Sequence, residues 1–330
     1  MKVKIDVAKK KLKEIYEQFN LDSETVEWLV ELALDMDLEG NYFSGIGETP
    51  ESLPDDMNPS LHETFEIDKP SLKFINGNGK DARLVIKDLV PEAVVWAREQ
   101  GQIFIGFKNC GYHENLGTIA RKFAEQNLLC IYSSNGGPQG VVPYGGTKDI
   151  FGTNPVAYGI PTSDVPIVFD AATAQRAYGT IKHARESQQP LPPETYFDKV
   201  GQYTTDPNEA VSLIPFGGYK GYAFNLLFDV LDGALVGSKS GRLVKTDSDL
   251  GAILLIIDPA AFGPIVEFKA QTDKLVQDIV SNPPAPGFSE VRVPGYRAHE
   301  HRAQQIKAGE LEIDEAVWQK FMELHDKVVS

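Results

Sequence analysis

Cysteine is nearly absent from this chain: 330 residues hold two, Cys110 and Cys130. Each sits beside a short apolar run, the pattern of buried thiols in a reducing compartment, so a disulfide scaffold is excluded and a cytoplasmic home is expected. Long apolar runs are missing as well. The stretch AILLIIDPAAF is broken by Asp258 and Pro259, far short of the ~20 residues that a membrane span requires, and reads as a buried strand. Basic residues are outnumbered, Lys+Arg 32 against Asp+Glu 47 for a net charge of −15. No broad basic footprint for nucleic acid exists, and an anionic ligand would need a local cradle of cations or a helix N-terminus. The segment MKVKIDVAKKKLKEIYEQF mixes acidic residues with apolar ones at helical spacing, which predicts a surface helix and not a signal peptide. No Walker sequence, H-E-x-x-H, G-x-S-x-G or C-x-x-C occurs, so hydrolase and nucleotide-triphosphatase chemistry lose their usual support. A Rossmann fingerprint is missing too: Gly77 and Gly79 in FINGNGKDA lack the third glycine, and Asn78 beside Gly79 predicts a tight turn.

What remains is a folded chain of ordinary composition, 42% apolar and 24% charged, long enough for one large domain or two interlocked ones. Its 29 glycines and 21 prolines imply many shaped loops, where ligands often bind. Asp22 or Ser23 can cap a second helix whose apolar face is Val26, Leu29, Val30, Ala33 and Leu34, stopping near Gly40. Residues 41–70 have little periodicity and read as a long loop. From Leu72 onward, short β-rich runs (IFIGF, LLCIYSS, PVAYGI, PIVFD, AILLIID) alternate with helices near 115–126, 174–185 and 221–235, an α/β or α+β texture. A last helix near 314–328 puts Val317, Phe321, Leu324 and Val328 on one side, ready to pack back onto the body. The organisation expected is an N-terminal helical segment (1–70) packing with 290–330, and a central sheet-containing domain (71–289).

Two Gly- and Ala-bearing junctions stand out. In VFDAATAQRAYG a strand ends at Asp170 and small residues lead toward a helix; in LIPFGGYKGYAF, Lys220 sits between glycines just before one. Both are places where backbone N–H groups and a positive helix end can meet phosphate oxygens. Of the six histidines, His299 and His301 are two apart and would lie on different helix faces, so no metal pair is expected. His113, between a strand and a helix in NCGYHENLG, is where a side chain can reach a cleft and carry a proton.

Taken together, VVPYGG, FGTNPVAYGIP, TTDP, PFGGYKGYAF and VPG, in this order, resemble the malate/L-lactate dehydrogenases that lack a Rossmann fold, a group with ureidoglycolate and sulfolactate dehydrogenases, 2,3-diketogulonate reductase and piperideine-2-carboxylate reductase. The resemblance implies a mostly antiparallel sheet flanked by helices, a homodimer with the active site near the subunit contact, and NAD or NADP as cofactor. Carried over residue by residue, cofactor contacts fall on Asp170, Ala171, Ala172, Thr173, Ala174, Gln175 and Arg176, on Tyr219 and Lys220, and on Gly295, Tyr296 and Arg297. Asn154 of the Gly-Thr-Asn-Pro signature is a candidate for substrate binding.

Two departures matter. Where that family has Ser-His-Gly-x-x-Arg, this chain reads FSGIGE, with Ser44 at the histidine position and Glu48 at the arginine position. Serine does not titrate near neutrality, and a carboxylate reverses the charge needed to clamp a substrate carboxylate. A second family histidine aligns to Tyr112, with His113 one residue late. His113 is therefore the acid/base candidate, with Tyr112 and Ser44 as alternatives and Lys148 as a replacement cation. The reading is a nicotinamide-dependent oxidoreductase acting on a small 2-hydroxy or 2-oxo acid or related imino substrate; the alternative is a catalytically silent dinucleotide- or metabolite-binding relative.

Overall fold

The structure, a computed structural model, describes residues 1–40, 45–49, 53, 60–111, 113–138, 140–177 and 179–330. Its centre is a seven-stranded sheet built from β2 (Thr64–Lys69), β3 (Leu72–Asn76), β4 (Gln102–Lys108), β5 (Leu129–Ser134), β6 (Val156–Ile160), β7 (Ile167–Ala171) and β10 (Gly251–Ile257). The strand order is β2-β3-β4-β10-β5-β6-β7. Only β3 and β4 run parallel; the other neighbours are antiparallel. The mixed architecture with a mostly antiparallel sheet is the one expected.

The parallel pair needs a crossover, and α3 (Ala82–Gln100) supplies it. It lays Val85, Ile86, Leu89 and Ala93 on the sheet against Ile103, Ile105 and Phe107. The run AILLII is β10, at the centre of the sheet between β4 and β5, which is why it shows no polar alternation. On the same face, over β5 and β6, lies α4 (Leu116–Glu125). At Gly159 of β6 a Cβ would fall 2.2 Å from the Ala120 carbonyl oxygen, so glycine permits this close helix–sheet approach.

The loop expected over 41–70 is not loop throughout: 64–69 pairs with β3 as an edge strand. Phe65 and Ile67 stay exposed there among charged residues, so the strand shows no buried alternation, and Phe65 meets Trp96 edge-on instead. Asn78 and Gly79 both adopt positive φ, the tight turn predicted.

A second core joins the two ends of the described chain. Helices α1 (Ile5–Tyr16) and α2 (Ser23–Leu38) bury Leu12, Ile15, Tyr16, Leu29 and Val30 against Leu311, Ile313 and Phe321 of β11 (Glu310–Glu312) and α9 (Glu315–Val329) and their connection. Asp22 caps α2 by accepting the Thr25 N–H, and β1 (Lys2–Lys4) pairs with β11. The intervening β8 (Tyr196–Phe197) and β9 (Ser212–Leu213) form a small ribbon. Helices α5 (Gly179–Ser187), α6 (Tyr219–Asp229), α7 (Ile265–Val280) and α8 (Tyr296–Ala308) complete the set used below. No described helix is long and apolar enough to cross a membrane, and both cysteines are free and buried.

Candidate active site

A cleft of ≈1540 Å³ opens between the end of β7, the start of α4, the start of α8 and the 45–49 segment. Its lining includes His113, Glu114, Asp170, Ala171, Ala172, Gly295, Arg297 and Glu48. Between β4 and α4, Asn109, Gly111 and Asn115 all take positive φ, and the His113 ring packs against Phe107 of β4 and Tyr132 of β5.

His113 is 2% exposed. Its Nδ1 lies 2.5 Å from the Tyr132 hydroxyl, and its Nε2 has no partner among the described residues. Phe107 packs on the ring at 5.2 Å. Burial in these surroundings pulls the imidazole down to about 4, with Asp81 only weakly opposing, so the ring is neutral at pH 7. Beside it, Glu114 pairs with Arg83 at 3.6 Å, while Arg83 is also gripped by Asp81. Burial lifts Glu114 up to about 7 despite Arg83, with Asp81 and Glu48 adding to the rise. Glu114, next in sequence to His113, thus lines the cleft with a carboxyl that changes charge near neutrality. Glu114 carried no signal in the sequence; its neighbour Arg83 is 31 positions away.

Asp170 faces the cleft and accepts the Gly117 N–H at 2.7 Å, tying β7 to the first turn of α4. Crowding by protein pushes its carboxyl up to about 6 against that hydrogen bond. The helix expected from 174 begins only at Gly179. Thr173 donates its hydroxyl to the Thr153 and Asn154 carbonyls, Ala174 bridges to Pro215, and the Gln175 N–H bonds Ile214. These ties hold 172–177 as an extended bend, so the helix N-terminus anticipated at Ala174 does not form. Ala171 and Ala172 reach the cleft; Thr173, Ala174, Gln175 and Arg176 are not among its lining.

Gly295 caps α8 with φ 87° and lies on the cleft with Arg297, whereas Tyr296 packs inward near Ile167, Val276 and Val293. Tyr219 and Lys220 start α6, as expected, yet lie away from this cleft, Tyr219 being 60% exposed against Tyr144. Lys148 is exposed and also outside it. Asn154 is fully buried: its amide donates to Asn225 and Asp229 and its oxygen accepts the Gly136 N–H. It braces the wall formed by Gly136 and Thr153 from behind. Ser44 and Tyr112 lie outside the described residues. Glu48 does line the cleft, half-buried, where burial raises its carboxyl while Lys182, Arg83 and Lys320 pull it down.

Relatives bear on this geometry. L-sulfolactate dehydrogenase of Methanothermobacter thermautotrophicus is 28% identical over 98% of this chain and 96% of its own length. A Δ1-pyrroline-2-carboxylate/Δ1-piperideine-2-carboxylate reductase of Pseudomonas putida is 32% identical over 63% of this chain and 62% of its own. The structure of sulfolactate dehydrogenase from Methanocaldococcus jannaschii superposes with a TM-score of 0.87 at 26% identity, covering 99% of this chain and 97% of that one. These proteins are named as dehydrogenases or reductases. With residues 3–322 matching its model, the chain belongs to the malate/L-lactate dehydrogenase family.

Proposed function

We propose that the cleft takes a nicotinamide dinucleotide, NAD or NADP, and a small 2-hydroxy or 2-oxo acid or related imino substrate, and that the protein is a cytoplasmic oxidoreductase. One observation carries the reading: in a chain of this family, His113, whose buried Nε2 has no partner among the described residues, lines the same large cleft as Asp170 and Ala171. A buried nitrogen without a partner is costly unless a ligand supplies one, which fits a bound group there. Ala171 and Ala172 present small side chains to the cleft, and Arg297 on its lining makes no ion pair with any described residue and is available to a phosphate or carboxylate. The cofactor would supply the hydride; the chain's part is to orient the substrate, through His113, and to exchange the proton, through Glu114. Names of relatives support the substrate class, one acting on a sulfolactate and another on cyclic imino acids.

Glu48 favours a second reading, a silent binder, because a carboxylate lines the cleft where the resemblance calls for an arginine. Fluorescence titration with NADH and NADPH, followed by stopped-flow turnover of oxo and imino acids, separates the two. Binding with turnover supports the oxidoreductase. Binding without turnover across the panel supports the silent relative, and no binding of either nucleotide removes both.

A second copy of the chain is proposed to cover the outward face of α6 and the turn after it, where Phe224, Leu227, Val230 and Leu235 are each 46% exposed or more. An apolar face of that extent marks an interaction site. Sedimentation should give a dimer that Leu227→Glu converts to monomer; a native monomer at micromolar concentration rejects this assembly.

A further inference from the structure

Tyr132 and His113 form a closed pair whose proton has only one good place to be. Tyr132, on β5, is 1% exposed, and its hydroxyl meets nothing among the described residues except Nδ1 of His113. The two rings stand perpendicular, 5.8 Å apart. Burial holds the phenol well above its ordinary range, so it keeps its proton, and the imidazole is neutral. Two arrangements are then open. If Nδ1 carries the ring proton, it donates to the phenol oxygen, and the phenol's own hydrogen is left buried with no acceptor, as is the lone pair on Nε2. If the phenol donates to Nδ1, the ring proton sits on Nε2 and that N–H is the single unmatched donor. Each arrangement strands one donor, but only the first also strands the strongly accepting Nε2 lone pair, and phenol O–H to imidazole nitrogen matches the better donor to the better acceptor, which biases the equilibrium by about tenfold toward the second arrangement.

We infer that Tyr132 is a positioning residue: its hydroxyl donates to Nδ1 and fixes the proton of His113 on Nε2, making this cleft-lining ring a standing hydrogen-bond donor. The ring's other neighbours are Phe107 and the lining of a small void formed by Leu32, Ala82, Arg83, Ile86, Glu114 and Ile119. None of them is hydrogen-bonded to it. The inference deepens, and rests on, the oxidoreductase reading for its catalytic meaning. A ring already protonated at Nε2 polarises a substrate carbonyl or imine as hydride arrives, but it cannot accept the alcohol's proton there. Titration then falls to another group, and Glu114 is the carboxyl beside it.

Nitrogen-15 NMR of histidine-labelled protein without cofactor reads the tautomer directly, with the His113 signals assigned by their loss in His113→Gln. The expected wild-type spectrum at pH 7 has Nε2 protonated and Nδ1 bare. Tyr132→Phe should shift the tautomer ratio by about tenfold toward the Nδ1–H form and lower kcat by a similar factor with the Kd for NADH unchanged. A wild-type ring protonated on Nδ1, or a ratio unmoved in Tyr132→Phe, overturns the inference. Should that variant not fold, 3-fluorotyrosine at position 132 keeps the shape while making the phenol more acidic; the Nδ1 resonance must move, and a stationary one overturns it equally. Failure to bind NADH would sink the proposed function and leave the tautomer standing. A wrong tautomer in a protein that binds NADH sinks only the inference.

Discussion

The buried imidazole makes a stability prediction that needs no knowledge of substrate. In the unfolded chain a histidine titrates at its ordinary value of 6.5; in the native protein burial takes His113 down to about 4. Between those values the unfolded state binds the extra proton, so native stability rises with pH across the window. The contribution is complete above pH 6.5 and is lost as pH falls through 4. At 1.36 kcal/mol per unit, the difference amounts to about 3 kcal/mol. The side chain is only 2% exposed, so no screening discount applies. Replacing the ring by a group of similar bulk that cannot titrate, His113→Leu, removes this component while leaving the other acid-sensitive carboxyls in place. Urea unfolding of both proteins at several pH values from 7.5 to 4 isolates it, because contributions common to the two cancel in the difference. The variant is expected to start less stable, since the Tyr132 hydroxyl loses its partner, and to lose about 3 kcal/mol less than wild type on acidification. Parallel stability curves over the whole range would refute the argument that the native ring is neutral and dry.

Three further outcomes are expected. Glu114, lifted to about 7 by burial against Arg83 with Asp81 and Glu48 assisting, should govern the pH profile. Ketone or imine reduction falls as pH rises through about 7, Glu114→Gln abolishes that limb and costs about 10²–10⁴-fold in kcat, and an unchanged limb in the variant assigns it elsewhere. Asp35, its side chain 2% exposed, is shared by Arg121 of α4 and Arg302 of α8. Asp35→Ala should destabilise by about 3 kcal/mol in urea unfolding, because it strands guanidinium groups against each other; a loss below about 1 kcal/mol would mean that solvent already screens the cluster. Gly159→Ala, which drives a methyl into the Ala120 carbonyl, should cost about 1–3 kcal/mol by pushing α4 off the sheet, with thermal unfolding as the check and an unshifted midpoint as the refutation.

How far the sequence could be read depended on whether a signal was local. The Asp22 cap, the α2 stripe, the Asn78–Gly79 turn and the unbroken AILLII strand are written in adjacent residues, and each takes the form its pattern predicts. Helix α3 is not legible locally because it carries Pro91 within its continuous run, which argues against a helix in the sequence, and its burial spreads over most of its face. The sequence predicts a helix from about 174, where Ala and Gln favour one locally, whereas the hydrogen bonds that hold the bend at 172–177 come from the distant Thr153 and Ile214. At the site, His113 was legible as a histidine after a strand. Tyr132, Arg83 and Glu114 were not, since their meaning lies in pairings across 19 and 31 positions that no spacing rule records.

The clasp between β1 and β11 has a consequence for synthesis. At about 5–20 residues per second, Leu12, Ile15 and Leu29 leave the ribosome roughly 15–60 s before Leu311 and Phe321 exist to cover them. For that interval the first two helices expose a greasy flank in the nascent chain. The opposite face of α1 is charged, with Lys9, Lys10 and Lys13 beside acidic partners, so the apolar flank alone waits for the tail to close it.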